Sequence, residues 1–311
     1  MLERRGIVLT PADLHEHWPA WLQQAGLNVL GLHGNIDEII RFVQSAAGRS
    51  FLAQLEQAGI AVEYEIHALS YLLPRAEFGR HPQWFRADEQ GERTPDVNLC
   101  PSSVEALAVA AENAARLARV LAPTTNRYYL WADDAPSWCQ CRRCRELGPA
   151  DQNLLVMNAL LAGVRQADSR AVLACLAYDN TLDPPQQVSP APALFLEFAP
   201  IRRRYDRPLA AADVPENQAH LAQLERLLAF FGAERAQVLE YWLDASRFSH
   251  WRRPAVQVPF NRAVLAADAQ LYRQLGIRSI TTFGVYLDAE YLARYGVPPV
   301  ADYGTVLAAD E

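Results

Sequence analysis

Short apolar runs rich in β-branched and aromatic residues recur along this chain, and a helix-periodic stretch separates most neighbouring pairs. Eight such runs stand out, at 6–9, 28–32, 61–66, 127–131, 171–177, 194–198, 237–242 and 279–283. Helix-like segments at 13–25, 36–58, 103–121, 153–167, 216–231 and 261–275 lie between them. A strand covered on both faces reads as a continuous apolar run, whereas a helix repeats its apolar positions about every 3.6 residues. Repeated switching between the two patterns implies parallel strands, because each return to the same edge needs a helical crossover. Eight such units in 311 residues predict an α/β fold of the (β/α)8 TIM-barrel type, one domain spanning 1–311. A doubly wound open sheet is the alternative, but no Gly-rich fingerprint follows the first strand. Gly26, Gly59 and Gly276 each come shortly before a strand, where a helix stop belongs. A long loop (70–101) follows strand 3, and a Cys-rich loop follows strand 4.

Composition removes several classes. The chain contains no lysine, so Schiff-base chemistry, pyridoxal phosphate attachment and a Walker-type phosphate loop are excluded. No catalytic cofactor is expected. A net charge of −7 without a basic stripe argues against nucleic acid. No apolar run approaches the roughly 18 residues that span a bilayer, so no membrane partner is expected. The start of the chain lacks a signal-peptide layout, which predicts a cytoplasmic protein, or an exported one whose signal has been removed. Nothing in the sequence sets an oligomeric state.

In a barrel of this kind, chemistry gathers where the strands end at their C-termini. Those ends supply His33, His67, Trp131 with Asp133 and Asp134, then Tyr178 and Asp179. Glu197 follows in strand 6, then Glu240, Tyr241, Trp242 and Asp244 around strand 7, and Tyr286 and Asp288 after strand 8. Large aromatics beside carboxylates suit a carbohydrate, since rings stack on sugar faces while carboxylates bind hydroxyls or move protons. Structural roles compete for some of these residues. Asp179 belongs equally to turn chemistry. Glu197 and Glu240 sit inside apolar strands, where an ionised group is costly unless paired, and for Glu197 a structural partner such as Arg202 to Arg204 competes with catalysis. Asp133 and Asp134 are adjacent like charges, and their repulsion favours protonation of one of them. That makes the pair a candidate proton donor.

Cys139-Gln-Cys141-Arg-Arg-Cys144 places three thiols on a short loop, and Cys100 is the candidate fourth. Four thiolates suit a closed tetrahedral structural zinc, with disulfides or free thiols as the alternative. Cys175, within an apolar strand, reads as core.

His81-Pro-Gln-Trp-Phe85 with Gly91, Asn98-Leu-Cys100, Trp131-Ala-Asp-Asp134 with the three-cysteine loop, and Leu176-Ala-Tyr178 with Pro184-Pro185 together resemble a bacterial family, domain of unknown function (DUF) 4838. The resemblance runs from about residue 70 to 296 and implies a (β/α)8 hydrolase distantly similar to α-glucuronidases and β-N-acetylhexosaminidases. Family members commonly carry Asn-Asp where this chain has Asp133-Asp134, and Tyr241-Trp242-Leu-Asp244 is a loosened form of their strand-7 motif. The acid pair also resembles that of retaining N-acetylhexosaminidases, in which the substrate's acetamido group is the nucleophile. Carried over, Asp133 orients that amide, Asp134 is the general acid, and Tyr178, Tyr241 and Trp242 line the sugar subsite. On an inverting, uronidase-like scheme, Asp134 remains the acid, and Glu240 or Asp244 activates water from roughly 6.5–9.5 Å away. The rivals are a carbohydrate-binding barrel without catalysis and a metal-dependent hydrolase using His33 and His67.

Overall fold

The structure is a computed structural model and describes residues 2–309. Each apolar run forms a strand: β1 (Arg4–Leu9), β2 (Val29–Leu32), β3 (Ala61–His67), β4 (Arg127–Trp131), β5 (Val172–Tyr178), β6 (Leu194–Ala199), β7 (Gln237–Glu240) and β8 (Ser279–Phe283). All pair in parallel with their sequence neighbours, and β8 closes on β1 to complete a barrel. Gly6 sits between Val29 and Thr281 at this seam, where a Cβ would lie 2.9 Å from the Val29 side chain.

Alternate side chains turn into the barrel, and many of these are polar. Arg4 meets Glu63 at 2.5 Å. The Tyr129 hydroxyl donates to Gln237 at 2.9 Å, and the Gln237 amide donates to Glu197 at 2.9 Å. The Trp131 indole donates to the other Glu197 oxygen at 2.7 Å. Glu197, the carboxyl at the centre of this chain, is pushed up to about 8 by burial. Both Glu65 carboxyl oxygens are buried without a hydrogen bond among the described residues. Burial, then the charges of Glu197 and Glu63, hold this carboxyl well above its ordinary range, which favours the protonated form. Gly31 makes room for it: a Cβ there would stand 2.7 Å from Glu65 Oε1.

Helices wrap the outside. Val104–Val120 and Pro149–Ala167 pack so closely that a Cβ on Gly163 would fall 2.0 Å from the Ala111 carbonyl oxygen. The segment expected as one helix over 36–58 is two, Ile36–Gln44 and Ala46–Gln57. Ser45 breaks it: its backbone is extended (ψ 159°), and its hydroxyl accepts the Gly48 N–H at 2.9 Å to start the second helix. The 13–25 segment shortens to Trp18–Gln24, and β7 ends at Glu240 rather than at 242. Among the described residues no helix is long and apolar enough to cross a membrane.

Candidate active site

The C-terminal ends of the strands surround a cavity of about 350 Å³. Most of its wall is aromatic or aliphatic: Trp131, Tyr178, Tyr241, Trp251 and Phe283, with Leu176, Leu239, Ile201 and Val285. Its polar groups are Thr10, Ser246, the two imidazoles His33 and His67, and the carboxylates Asp134 and Asp244. Inward alternation explains the selection, since Leu239 and Tyr241 share the inner face of β7 and its extension while Glu240 takes the outer one.

Asp134 follows β4 and faces the Tyr178 hydroxyl. Burial and then the nearby Asp134 charge raise that phenol above its ordinary range. Asp244 lies across the mouth, beyond β7. It caps the helix Ala245–Phe248, its Oδ1 accepting Ser246 N–H at 3.0 Å, the Ser246 hydroxyl at 2.6 Å and Arg247 N–H at 3.2 Å. Burial nonetheless pushes the Asp244 carboxyl up to about 6. His33 Nδ1 meets the Glu65 carbonyl at 2.7 Å, and His67 Nδ1 meets the Ala132 carbonyl at 2.5 Å. The His33 ring is brought down to about 4 by burial and by His67.

The adjacent carboxylates diverge. Asp133 is engaged by the Ser70 N–H (2.9 Å) and hydroxyl (2.7 Å), the Asn98 N–H (2.6 Å) and the Arg75 guanidinium (2.5 Å). It lines a small neighbouring hollow instead of the main cavity. Asp179 lines the same hollow and pairs with Arg202 at 2.6 Å. Glu240 points out of the barrel, fully buried, to Arg203 at 2.7 Å and the Tyr272 hydroxyl. Trp242 packs outward against Tyr272 and Tyr303. Tyr286 carries the Arg253 guanidinium 4.2 Å over its ring and stays off the cavity wall. These five residues are therefore not brought together with Asp134. The sequence reading missed Thr10, Ser246, Trp251 and Phe283. Trp251 lies on the loop between the helices Ala245–Phe248 and Arg262–Gln274, outside every apolar run and helix-periodic stretch of the sequence.

Cys100, Cys139, Cys141 and Cys144 converge, with all four sulfurs within 4.8 Å of one another. Cys100 Sγ is 3.8 Å from both Cys141 Sγ and Cys144 Sγ. A tetrahedron with zinc–sulfur arms of about 2.3 Å has edges of about 3.8 Å, so this group can hold a metal ion. The Ala87 N–H donates to Cys139 Sγ at 3.3 Å, and Ser102 Oγ lies within hydrogen-bond distance of Cys144 Sγ at 2.9 Å. All five cysteines are free of disulfides.

No curated protein matches this sequence. Solved structures match it in shape. A chitinase from Rhizomucor miehei aligns over 98% of this chain and 100% of its own, with a TM-score of 0.55 and 9% identity. A GH20 catalytic module of the pneumococcal exo-β-D-N-acetylglucosaminidase StrH covers 98% and 84%, at 0.52 and 11%. The β-galactosidase of the psychrophilic Marinomonas ef1 gives 0.53 and 11%; 90% of this chain matches, spanning only 53% of that enzyme. Likeness at such identities is one of fold, and that fold is glycoside-hydrolase-like. The sequence profile described as Domain of unknown function (DUF4838) matches residues 39–295, well over half of the chain, which therefore belongs to that family.

Proposed function

We propose that this protein is a glycoside hydrolase whose working carboxylates are Asp134 and Asp244, and that its partner is a carbohydrate. One observation carries the reading: two carboxylates, from the ends of β4 and β7, face a single aromatic-walled cavity at the strand C-termini. Asp134 is the proton donor to the glycosidic oxygen. Asp244 is the base or nucleophile on the other side, because its Oδ1 is held by two N–H groups and a hydroxyl that favour the ionised form. A value of about 6 suits a base that works near neutrality. Trp131, Tyr178, Tyr241 and Trp251 offer ring faces to the sugar. Asp133 is assigned to the wall, since its four bonds leave it no part in orienting an acetamido group.

The cysteine group is assigned a structural zinc, with no part in the reaction. It would tie Cys100, on the loop after β3, to the loop after β4 that carries Asp134.

Hydrolysis of a panel of nitrophenyl glycosides tests the proposal. Asp134→Asn is expected to lower kcat by roughly 10²–10⁴ on any substrate turned over. Turnover that survives this change removes the proposed acid, and sugar binding without turnover by the unaltered protein would show a binding barrel instead.

A further inference from the structure

Resting on the hydrolase reading, we infer that the cavity takes an uncharged sugar ring and reads its hydroxyls through His33 and His67 as hydrogen-bond acceptors. Two independent features lead there. The first is charge. Among the described residues, Asp134 and Asp244 are the only carboxyl groups on the cavity wall, and no arginine lines it. Nearby guanidinium groups are already engaged: Arg75 with Asp133, Arg202 with Asp179, Arg203 with Glu240 and Asp268, and Arg247 with the Ile201 carbonyl. A sugar bearing a carboxylate, phosphate or sulfate would meet the ionised base Asp244 and find no cation on the wall to pair with.

The second feature is the imidazole pair. A carbonyl oxygen only accepts, so Nδ1 of His33 and Nδ1 of His67 each hold a proton toward the Glu65 and Ala132 carbonyls. In the neutral ring the opposite nitrogen, Nε2, then carries the free lone pair, and both rings line the cavity. The two rings stand 5.9 Å apart at 78°, each packed against the Trp131 indole at 5.6 and 5.1 Å. Their partners must therefore be donors, and sugar hydroxyls beside an aromatic face supply them.

Binding is measured directly, without turnover, by tryptophan fluorescence. Methyl glycosides of glucose, galactose and N-acetylglucosamine are titrated against glucuronic acid and glucose 6-phosphate. The expected result is an uncharged ring bound at least tenfold more tightly than either anionic one. Equal or tighter binding of an anionic sugar overturns the inference, and so does binding of neither class. His33→Phe and His67→Phe, which keep a flat ring but lose the acceptor, should each weaken the best uncharged sugar about tenfold, whereas His→Gln should recover most of the loss. The matching deoxy sugar should bind the unaltered protein about tenfold less well, yet bind the Phe variant no worse than the full sugar does. Unchanged affinity in both Phe variants also overturns it. The hydrolase reading fails separately: if uncharged sugars bind but no nitrophenyl glycoside is cleaved, the catalytic assignment falls and this one stands. Cleavage of a glucuronide that depends on Asp134 has the opposite meaning.

Discussion

Asp133 and Asp134 differ by one position, yet the backbone turns their carboxylates to different surroundings, and their substitutions should separate accordingly. Asp133→Asn keeps an oxygen for the two Ser70 donors on the Oδ1 side but turns an NH2 group toward the Asn98 N–H and Arg75, which Oδ2 now serves. It is expected to keep activity within a few-fold and to cost roughly 1–3 kcal/mol in a denaturant titration. Asp244 gives a pH signature. As a base it must be ionised, so kcat/KM should fall as pH drops through about 6, and this limb should be missing from the residual activity of Asp244→Asn. Stability carries the opposite sign. Because burial raises this carboxyl above its unfolded value, the native state holds the proton more tightly, and stability is lost as pH rises from the ordinary carboxylate range through about 6. Asp244→Asn retains the cap acceptor and escapes that loss, so its melting temperature should exceed that of the unaltered protein by a few degrees above pH 6 and converge with it toward pH 4.

At the scale of elements, close approach sets the limits. Helices Val104–Val120 and Pro149–Ala167 meet backbone to backbone at Gly163, and an added methyl group would strike the rigid main chain of Ala111. Gly163→Ala should therefore cost about 1–3 kcal/mol or more in a chemical melt, with the helices forced apart. Strand boundaries were legible because all eight runs are apolar; which face each residue takes was not. β7 illustrates the reason. Gln237, Val238, Leu239 and Glu240 are all buried, so no polar alternation distinguishes inside from outside, and Glu240 was grouped with the cavity when it faces Arg203. His33, His67, Asp134 and Asp244 were legible because they are polar groups directly after apolar runs. Trp251 sits on a long loop at φ +55°, where no periodic pattern places a side chain. The break at Ser45 was hidden because alanines and glycine around it fit a continuous helix as well as two.

At the scale of the whole molecule, the cysteine group joins two loops that the chain itself separates by a full helix and strand. Purified without chelator, the protein should hold about one zinc per chain by elemental analysis. Stripping it should lower the melting temperature and the activity together, and Cys141→Ser should do the same. A metal content near zero in unreduced protein would count against the site. The barrel interior adds a second whole-molecule expectation. Burial and the neighbouring carboxylates favour the protonated form of Glu65, so Glu65→Gln should be tolerated and should stabilise the fold increasingly as pH rises, as read by melting temperature across a pH series.

The bracing around Asp133 has a further effect. Asn98 donates to the Ser137 carbonyl at 2.9 Å and accepts from the Asp133 N–H at 3.0 Å, while Gln152 grips the Cys139 backbone from both sides at 3.0 and 3.1 Å. This half of the rim is cross-tied before any ligand arrives. Free and occupied forms should superpose there to within about 1 Å, so a guest is selected by a shape that already exists, and any yielding needed to admit a longer chain falls to the Trp251 side.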